Sequence, residues 1–361
     1  MNGFVKKLAV VLFALVMVGG QVRAQFSTTN AKNATSGQQN GFYYVLPQTM
    51  LKLDFIIQET EFQKGPLSEF APNYMKLDTP VEDNDVEYKI LDLKMTPVSS
   101  PDPDAMFFVI FPNGKGGKAQ FDILPNGVIK SVGVGNDAAG EALTPRDKQS
   151  EAYTMERIDE TEDGFFSMMS SNKTNAQLAK DAADKIEEIR KAKFNLISGY
   201  YETAFHPETF QAMYQKLEDM EKDYMALLLG KRVKKTVVKT VYVVPNKEVS
   251  TQTVARFSED EGLTLDISAA GDPIVVQTLS LNTTTSINAP SQSAVESMSY
   301  DNKVFYRVPE MADVIVTCGN TTIFNKQLVI NQLGAILLAP ISNTKLLFDT
   351  ETGQIVNLKM Q

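Results

Sequence analysis

Thr174-Asn-Ala-Gln-Leu-Ala-Lys-Asp-Ala-Ala-Asp-Lys-Ile-Glu-Glu-Ile-Arg190, running on to Gly199, and Pro207-Glu-Thr-Phe-Gln-Ala-Met-Tyr-Gln-Lys-Leu-Glu-Asp-Met220, running on to Gly230, decide the fold. Thr174 and Gln177 have the spacing of a capping box, whose side chains satisfy the free N–H groups of a starting helix. Leu178, Ala182, Ile186, Ile189 and Leu196 then share one helical face. Asp181/Lys185 and Glu187/Lys191 are spaced for i,i+4 ion pairs, and Gly199 is a stop. Pro207 favours the first helical position. After it, Phe210, Met213, Leu217, Met220, Tyr224 and Leu227 step by 3-4-3-4-3, the spacing of a coiled-coil seam. Gly230 ends that helix, with Lys231 and Arg232 beside its negative end. Residues 174–230 therefore read as an antiparallel two-helix hairpin about 35 Å long at 1.5 Å per residue.

Strand signals lie on both sides. Leu51, Leu53, Phe55 and Ile57 alternate with mostly polar partners, the period of a half-buried strand. Val86–Met95 and Met106–Phe111 read as strands separated by a turn at Pro101-Asp102-Pro103-Asp104. Residues 121–124 and 128–132 form a hairpin across Asn126-Gly127. After the helices, strands are expected at 236–244, 254–257, 274–281, 304–308, 314–317, 327–339, 345–348 and 354–358. Phe121-Asp122…Gly127-Val-Ile129 is echoed by Phe348-Asp349…Gly353-Gln-Ile355. The expected fold class is α+β: two β-rich modules, 41–172 and 231–361, flanking the helical hairpin at 173–230.

The start of the chain has the layout of a secretory signal peptide. Lys6 and Lys7 precede the apolar run Leu8–Val18, and Val22-Arg23-Ala24 is a small-residue cleavage pattern. Cleavage after Ala24 leaves 337 residues and no cysteine to lipidate, so the expectation is an exported protein, periplasmic or outer-membrane and surface associated, that is not a lipoprotein. No later apolar stretch approaches the length of a membrane span. Residues 25–40 are mostly polar and read as a flexible tether. Removing Lys6, Lys7 and Arg23 moves the net charge from −9 to −12, which argues against nucleic acid as a partner.

Several segments in order resemble the domain of unknown function 4831 family, exported proteins of Bacteroidota. They are Phe42-Tyr-Tyr-Val-Leu-Pro-Gln-Thr49, Lys64-Gly-Pro-Leu-Ser-Glu-Phe-Ala71, Leu229-Gly230-Lys231, Ala255-Arg-Phe-Ser-Glu-Asp-Glu-Gly262, Phe305-Tyr-Arg-Val-Pro309 and Phe348-Asp-Thr-Glu-Thr-Gly353. Leu67 departs from the pattern, where an aromatic is expected. The resemblance implies export and architecture, and it names no site.

Chemistry is sparse. Cys318 is the only cysteine, read as a small hydrophobe ending a strand; His206 is the only histidine, read as a turn residue at the tip. Asp159, Thr161 and Asp163 resemble the opening of a calcium loop, but the glutamate at position 12 is replaced by Ser170. Asp83-Asn84-Asp85-Val-Glu87 is a second acidic cluster. Gly114-Lys-Gly-Gly117 lacks phosphate-loop spacing. No cofactor is expected. Lys231, Arg232, Lys234, Lys235 and Lys239 form a basic cluster able to meet anionic headgroups peripherally or a partner. Phe194, Ile197 and Tyr214 would carry a docking surface if left uncovered. The expected function is a non-enzymatic envelope component that uses its helical hairpin to bind protein partners. The alternative is a hydrolase built on carboxylates such as Asp122 and Glu261.

Overall fold

The computed structural model describes residues 26–33, 40–75, 79–111, 119–134, 173–199, 206–283, 300–341 and 344–360. Before the helical pair come β1 (Ser27–Asn30), β2 (Gly41–Gln63), the short α1 (Ala71–Tyr74), β3 (Asp85–Ile110), β4 (Ala119–Ile123) and β5 (Ile129–Val134). The pair is α2 (Asn175–Ser198) and α3 (Pro207–Leu229). After it come β6 (Lys231–Val243), β7 (Thr251–Ser258), β8 (Gly262–Thr264), β9 (Asp272–Ser280), β10 (Lys303–Cys318), β11 (Thr321–Pro340), β12 (Thr344–Phe348) and β13 (Ile355–Met360).

The strands form three sheets, ordered β1-β3-β2-β6, β11-β10-β9-β7-β8 and β13-β12-β5-β4. All the ladders between them are antiparallel. Leu51, Leu53, Phe55 and Ile57 of β2 are fully buried, as their alternation implies, with Val241 and Val243 of β6 on the same face. They meet Ile274, Val276, Val314 and Val316 of the second sheet in one core. At the other end of β2, Tyr44 and Leu46 join Phe107, Ile129, Phe305, Leu346 and Phe348 in a second core that draws on all three sheets.

Four long strands, β2, β3, β10 and β11, reach both cores, and the β2–β3 and β10–β11 ladders each shift register between the residues that line one core and those that line the other. Val45 pairs with Met106, but Pro47 pairs with Pro101, so β3 carries extra residues there. Val308 pairs with Ala335 and Glu310 with Ile330, so β11 does the same. A bulge inserts unpaired residues and turns the strand without ending it. This corrects two expectations. Pro101-Asp102-Pro103-Asp104 is a bulge inside β3 and not a turn, and segments 304–308 and 314–317 are one strand, β10.

The chain is strand-rich with helices between strands, yet the strands before and after the helices are not segregated. β6 pairs with β2, and β12 pairs with β5. Two of the three sheets thus mix both halves of the chain. The expected hairpin across Asn126-Gly127 is present, with Gly127 at φ +87°. It adjoins the β12–β13 hairpin in one sheet. Gly127 N–H donates to Leu124 O, and Gly353 N–H donates to Asp349 O. The echo is therefore one of hairpin closure, with Leu124 and not Asp122 matching Asp349.

The tether expectation is corrected for residues 26–33. Phe26 has no exposed surface, β1 pairs with Phe107–Ile110, and Ala31–Asn33 form a 3-10 turn. A single buried aromatic anchors a stretch whose composition is otherwise polar.

Candidate interaction surface

The helical pair is rooted by local chemistry at both termini of the chain segment. Thr174 Oγ1 accepts from Gln177 N–H, and Gln177 Oε1 accepts from Thr174 N–H, so the capping box forms as read. Gly199 closes α2 in the left-handed region, at φ +70°. At the end of α3, free carbonyls find donors from the preceding segment: Leu67 N–H bonds Leu227 O, and Val81 N–H bonds Leu229 O. Gly65 and Gly230 let these backbones touch. A Cβ on Gly230 would lie 2.3 Å from Gln63 O, and one on Gly65 2.6 Å from Leu227 O. Leu67, Ala71 and Met75 then pack on Leu178, Ala179, Ala182, Ile186, Leu227 and Leu228.

The far half of the pair lacks that support. Ile189 and Leu196 remain buried, but Met213 and Met220 of the expected seam are exposed at 38% and 36%. Phe194 and Ile197 are 70% and 62% exposed. Tyr214 is half-buried, stacked on Phe210 with Lys193 Nζ 5.1 Å over its ring. Charges tie the helices here: Glu221 meets Arg190 at 2.6 Å and Lys193 at 3.0 Å, and Lys193 also reaches Glu218. Burial alone would raise the Glu221 carboxyl, but the hydrogen bonds and charges of Arg190 and Lys193 hold it below its usual range. Glu187 pairs with Lys191 as spaced. The Asp181/Lys185 pair is corrected: Asp181 meets Lys173, and Lys185 meets Glu188.

The basic cluster does not form one patch. Alternation along β6 sends Lys231, Lys235 and Lys239 to one side and Arg232 and Lys234 to the other. Lys235 pairs with Glu61, and Lys239 donates to Leu263 O. Arg232 donates to Thr79 O and lies over Phe62.

The other candidates stay apart. His206 is an exposed N-cap residue whose side chain makes no cap bond. Cys318 ends β10, half-buried, and burial together with Asp272 pushes its thiol up. Asp159, Thr161, Asp163 and Gly114–Gly117 lie outside the described residues. In the other acidic cluster, Asn84 accepts from Lys64 N–H, and Asp83 sits 3.8 Å from Lys64 Nζ. Asp122 pairs with Lys130 in the third sheet, whereas Glu261 lies in the turn between β7 and β8 of the second. Among the described residues, no group of three or more His, Cys, Asp or Glu could hold a metal ion. Nor is any helix there long and apolar enough to cross a membrane.

Sequence reading missed a buried polar junction where the three sheets meet. Arg307 reaches Asp102 at 2.6 Å and Pro47 O at 2.7 Å. Arg307 N–H donates to Gly353 O, and Asn331 Nδ2 donates to Glu351 O. Gln332 binds both backbone groups of Thr49. Tyr44 is buried nearby, its hydroxyl bonded to Phe305 N–H and O, and burial raises its phenol strongly. The only local signal was Arg307 within Val304-Phe-Tyr-Arg-Val308, whose other residues are apolar or aromatic. An open cleft of about 410 Å³ lies at the β4 edge, lined by Phe42, Phe111, Ala119, Phe121, Asp122 and Ile123.

These junctions fall on the segments that carry the family resemblance: Gly65 and Leu67, Gly230, Gly262 against Tyr88, Phe305 with Arg307, and Gly353 against Pro47. The family described as Domain of unknown function (DUF4831) matches residues 40–356. The chain belongs to this family. No curated protein and no solved structure matches it. Within this DUF4831 chain, the match begins just ahead of β2 and ends in β13, so it takes in strands of all three sheets, with β1 left outside it, and both long helices.

Proposed function

We propose that this DUF4831 protein is an exported component of the cell envelope without catalytic activity, and that α2 and α3 act as an antiparallel hairpin arm for a protein partner. The observation that supports this reading is the contrast along the arm. Its base is clamped to the β-structure through Leu67, Ala71 and Met75, while Phe194 and Ile197 stand 70% and 62% exposed at the far half. Large apolar side chains left in water cost free energy that a partner surface recovers, at roughly 25 cal/mol per Å² covered. Anchoring at one end fits an arm that presents its other end.

The test is crosslinking with mass spectrometry on intact cells, with a photoreactive residue at position 191, exposed on α2 and three residues before Phe194. Crosslinks from the arm to another envelope protein are expected. A stable monomer that yields only internal crosslinks overturns the reading.

A further inference from the structure

The third sheet ends on β4, whose outer flank can accept another strand. Leu124 N–H donates to Val128 O, and Leu124 O accepts from Gly127 N–H, so both main-chain groups of Leu124 turn toward β5. Alternation along the strand then turns those of Ile123, Phe121 and Ala119 away from β5. Among the described residues, no strand lies beyond β4 to receive them. Ala119, Phe121 and Ile123 also share the face that packs on the second core, beside the cleft of about 410 Å³ that Phe42 and Phe111 complete. The opposite face carries Gln120, which is exposed, and Asp122, whose carboxylate sits 3.0 Å from Lys130 Nζ.

Edge strands invite pairing with another chain, and proteins commonly block them with lysine or proline. Here β6 carries four lysines, β11 carries Lys326 and β13 carries Lys359. Of the described edge strands with at least five residues, β4 alone has neither lysine nor proline. Its sequence also pairs with itself. In an antiparallel alignment centred on Phe121, Phe121 meets Phe121, Ala119 meets Ile123, and Gln120 meets Asp122. The outward main-chain groups then face one another, the apolar residues share one face, and an amide able to donate lies opposite each carboxylate. Centring on Asp122 instead sets two carboxylates opposite each other, which is destabilising. We propose that the occupant of this edge is a second copy of the chain. β4 pairs with β4 of that copy about a two-fold axis at Phe121 and joins two four-stranded sheets into one. Phe121 and Ile123 of the second copy enter the cleft beside Phe42 and Phe111. The contact shares no residue with the helical arm and stands or falls independently of the arm's role.

The experiment is sedimentation equilibrium on protein purified from cells that express the whole chain, alongside two charge variants of Gln120. Gln120 is exposed, so circular dichroism should show one fold for all three. Gln120→Asp sets a carboxylate opposite Asp122 twice in each dimer and should weaken association roughly tenfold, whereas Gln120→Lys sets opposite charges there and should hold or tighten it. In a Cys318→Ala background, Gln120→Cys and Asp122→Cys chains are mixed and oxidised. Mass spectrometry should then find residue 120 of one chain linked to residue 122 of the other. A dimer with that charge response and that link supports the pairing. A monomer across the concentration series means that the edge is covered by the chain itself or kept for another protein, and overturns it. So do a dimer indifferent to both charge variants and a dimer without the 120–122 link, since each forms elsewhere.

Discussion

Arg307 and Asp102 form a buried ion pair, 2.6 Å apart and with side chains only 4% and 7% exposed, between strands far apart in the sequence. The bulge in β3 aims Asp102 inward, and the guanidinium also bonds Pro47 O beside the matching irregularity in β2. One cation therefore ties β3, β2 and β10 where the sheets change partners. Desolvating two charges is expensive, so such a pair holds geometry more surely than it adds net stability.

Removing one member of the pair leaves the other charged and buried. Asp102→Ala should cost about 3–5 kcal/mol in urea unfolding of the chain from Gln25. The double variant Asp102→Leu, Arg307→Met should recover most of that loss. A single-variant cost below about 1 kcal/mol would mean that water reaches the junction.

Thr174→Ala removes the side-chain half of the capping box that protects Gln177 N–H. A loss of about 1 kcal/mol is expected, with faster hydrogen exchange confined to the first turn of α2. Uniform loss of protection along α2 would contradict so local a role.

Two glycines with positive φ should respond differently to alanine. Gly199 has nothing within 4 Å of an added Cβ, so Gly199→Ala should cost only about 1 kcal/mol for the left-handed backbone. Gly230→Ala also drives a Cβ to 2.3 Å from Gln63 O and should cost clearly more, with α3 and β6 losing protection together. Equal costs would show that the backbones at the base can part freely.

Glu221 links pH to the arm. Its carboxyl is held below the usual range by Arg190 and Lys193 against the opposing effect of burial. A depressed folded pKa contributes stability above the unfolded value, and that stability is lost as pH falls through the folded value. The far half of the helices should therefore loosen only in acid, below the ordinary glutamate range near ~4.3. Glu221→Gln should flatten that response in hydrogen exchange measured against pH; an unchanged profile would assign it to other groups.

Phe194→Ser and Ile197→Ser should change stability by less than about 0.5 kcal/mol, because both side chains already face water. The same pair should abolish crosslinks from the arm. A large loss of stability would mean that these residues serve the fold.

The helix ends were legible because their signals are local. A hydroxyl three residues before an amide, a proline at the first turn and glycines past the last turn all act within a few residues. Leu51 to Ile57 and the Asn126-Gly127 turn were legible for the same reason. The apolar exposure at Phe194 and Ile197 was only conditional, since coverage depends on what packs against the arm.

By itself, then, the sequence determined two helices with defined caps, alternating strands around them and membership readable from spaced segments. Only the tertiary structure decided which strands share a sheet. Bulges at 101–106 and 330–335 break the two-residue period that strand reading relies on, so continuous strands looked interrupted. Four residues of β1 are too few to show any period; only the closed core around Phe26 reveals them as a strand. Alternation across β6 split a basic run that looks contiguous in sequence. The Arg307–Asp102 pair joins residues about two hundred positions apart, and no local rule couples them.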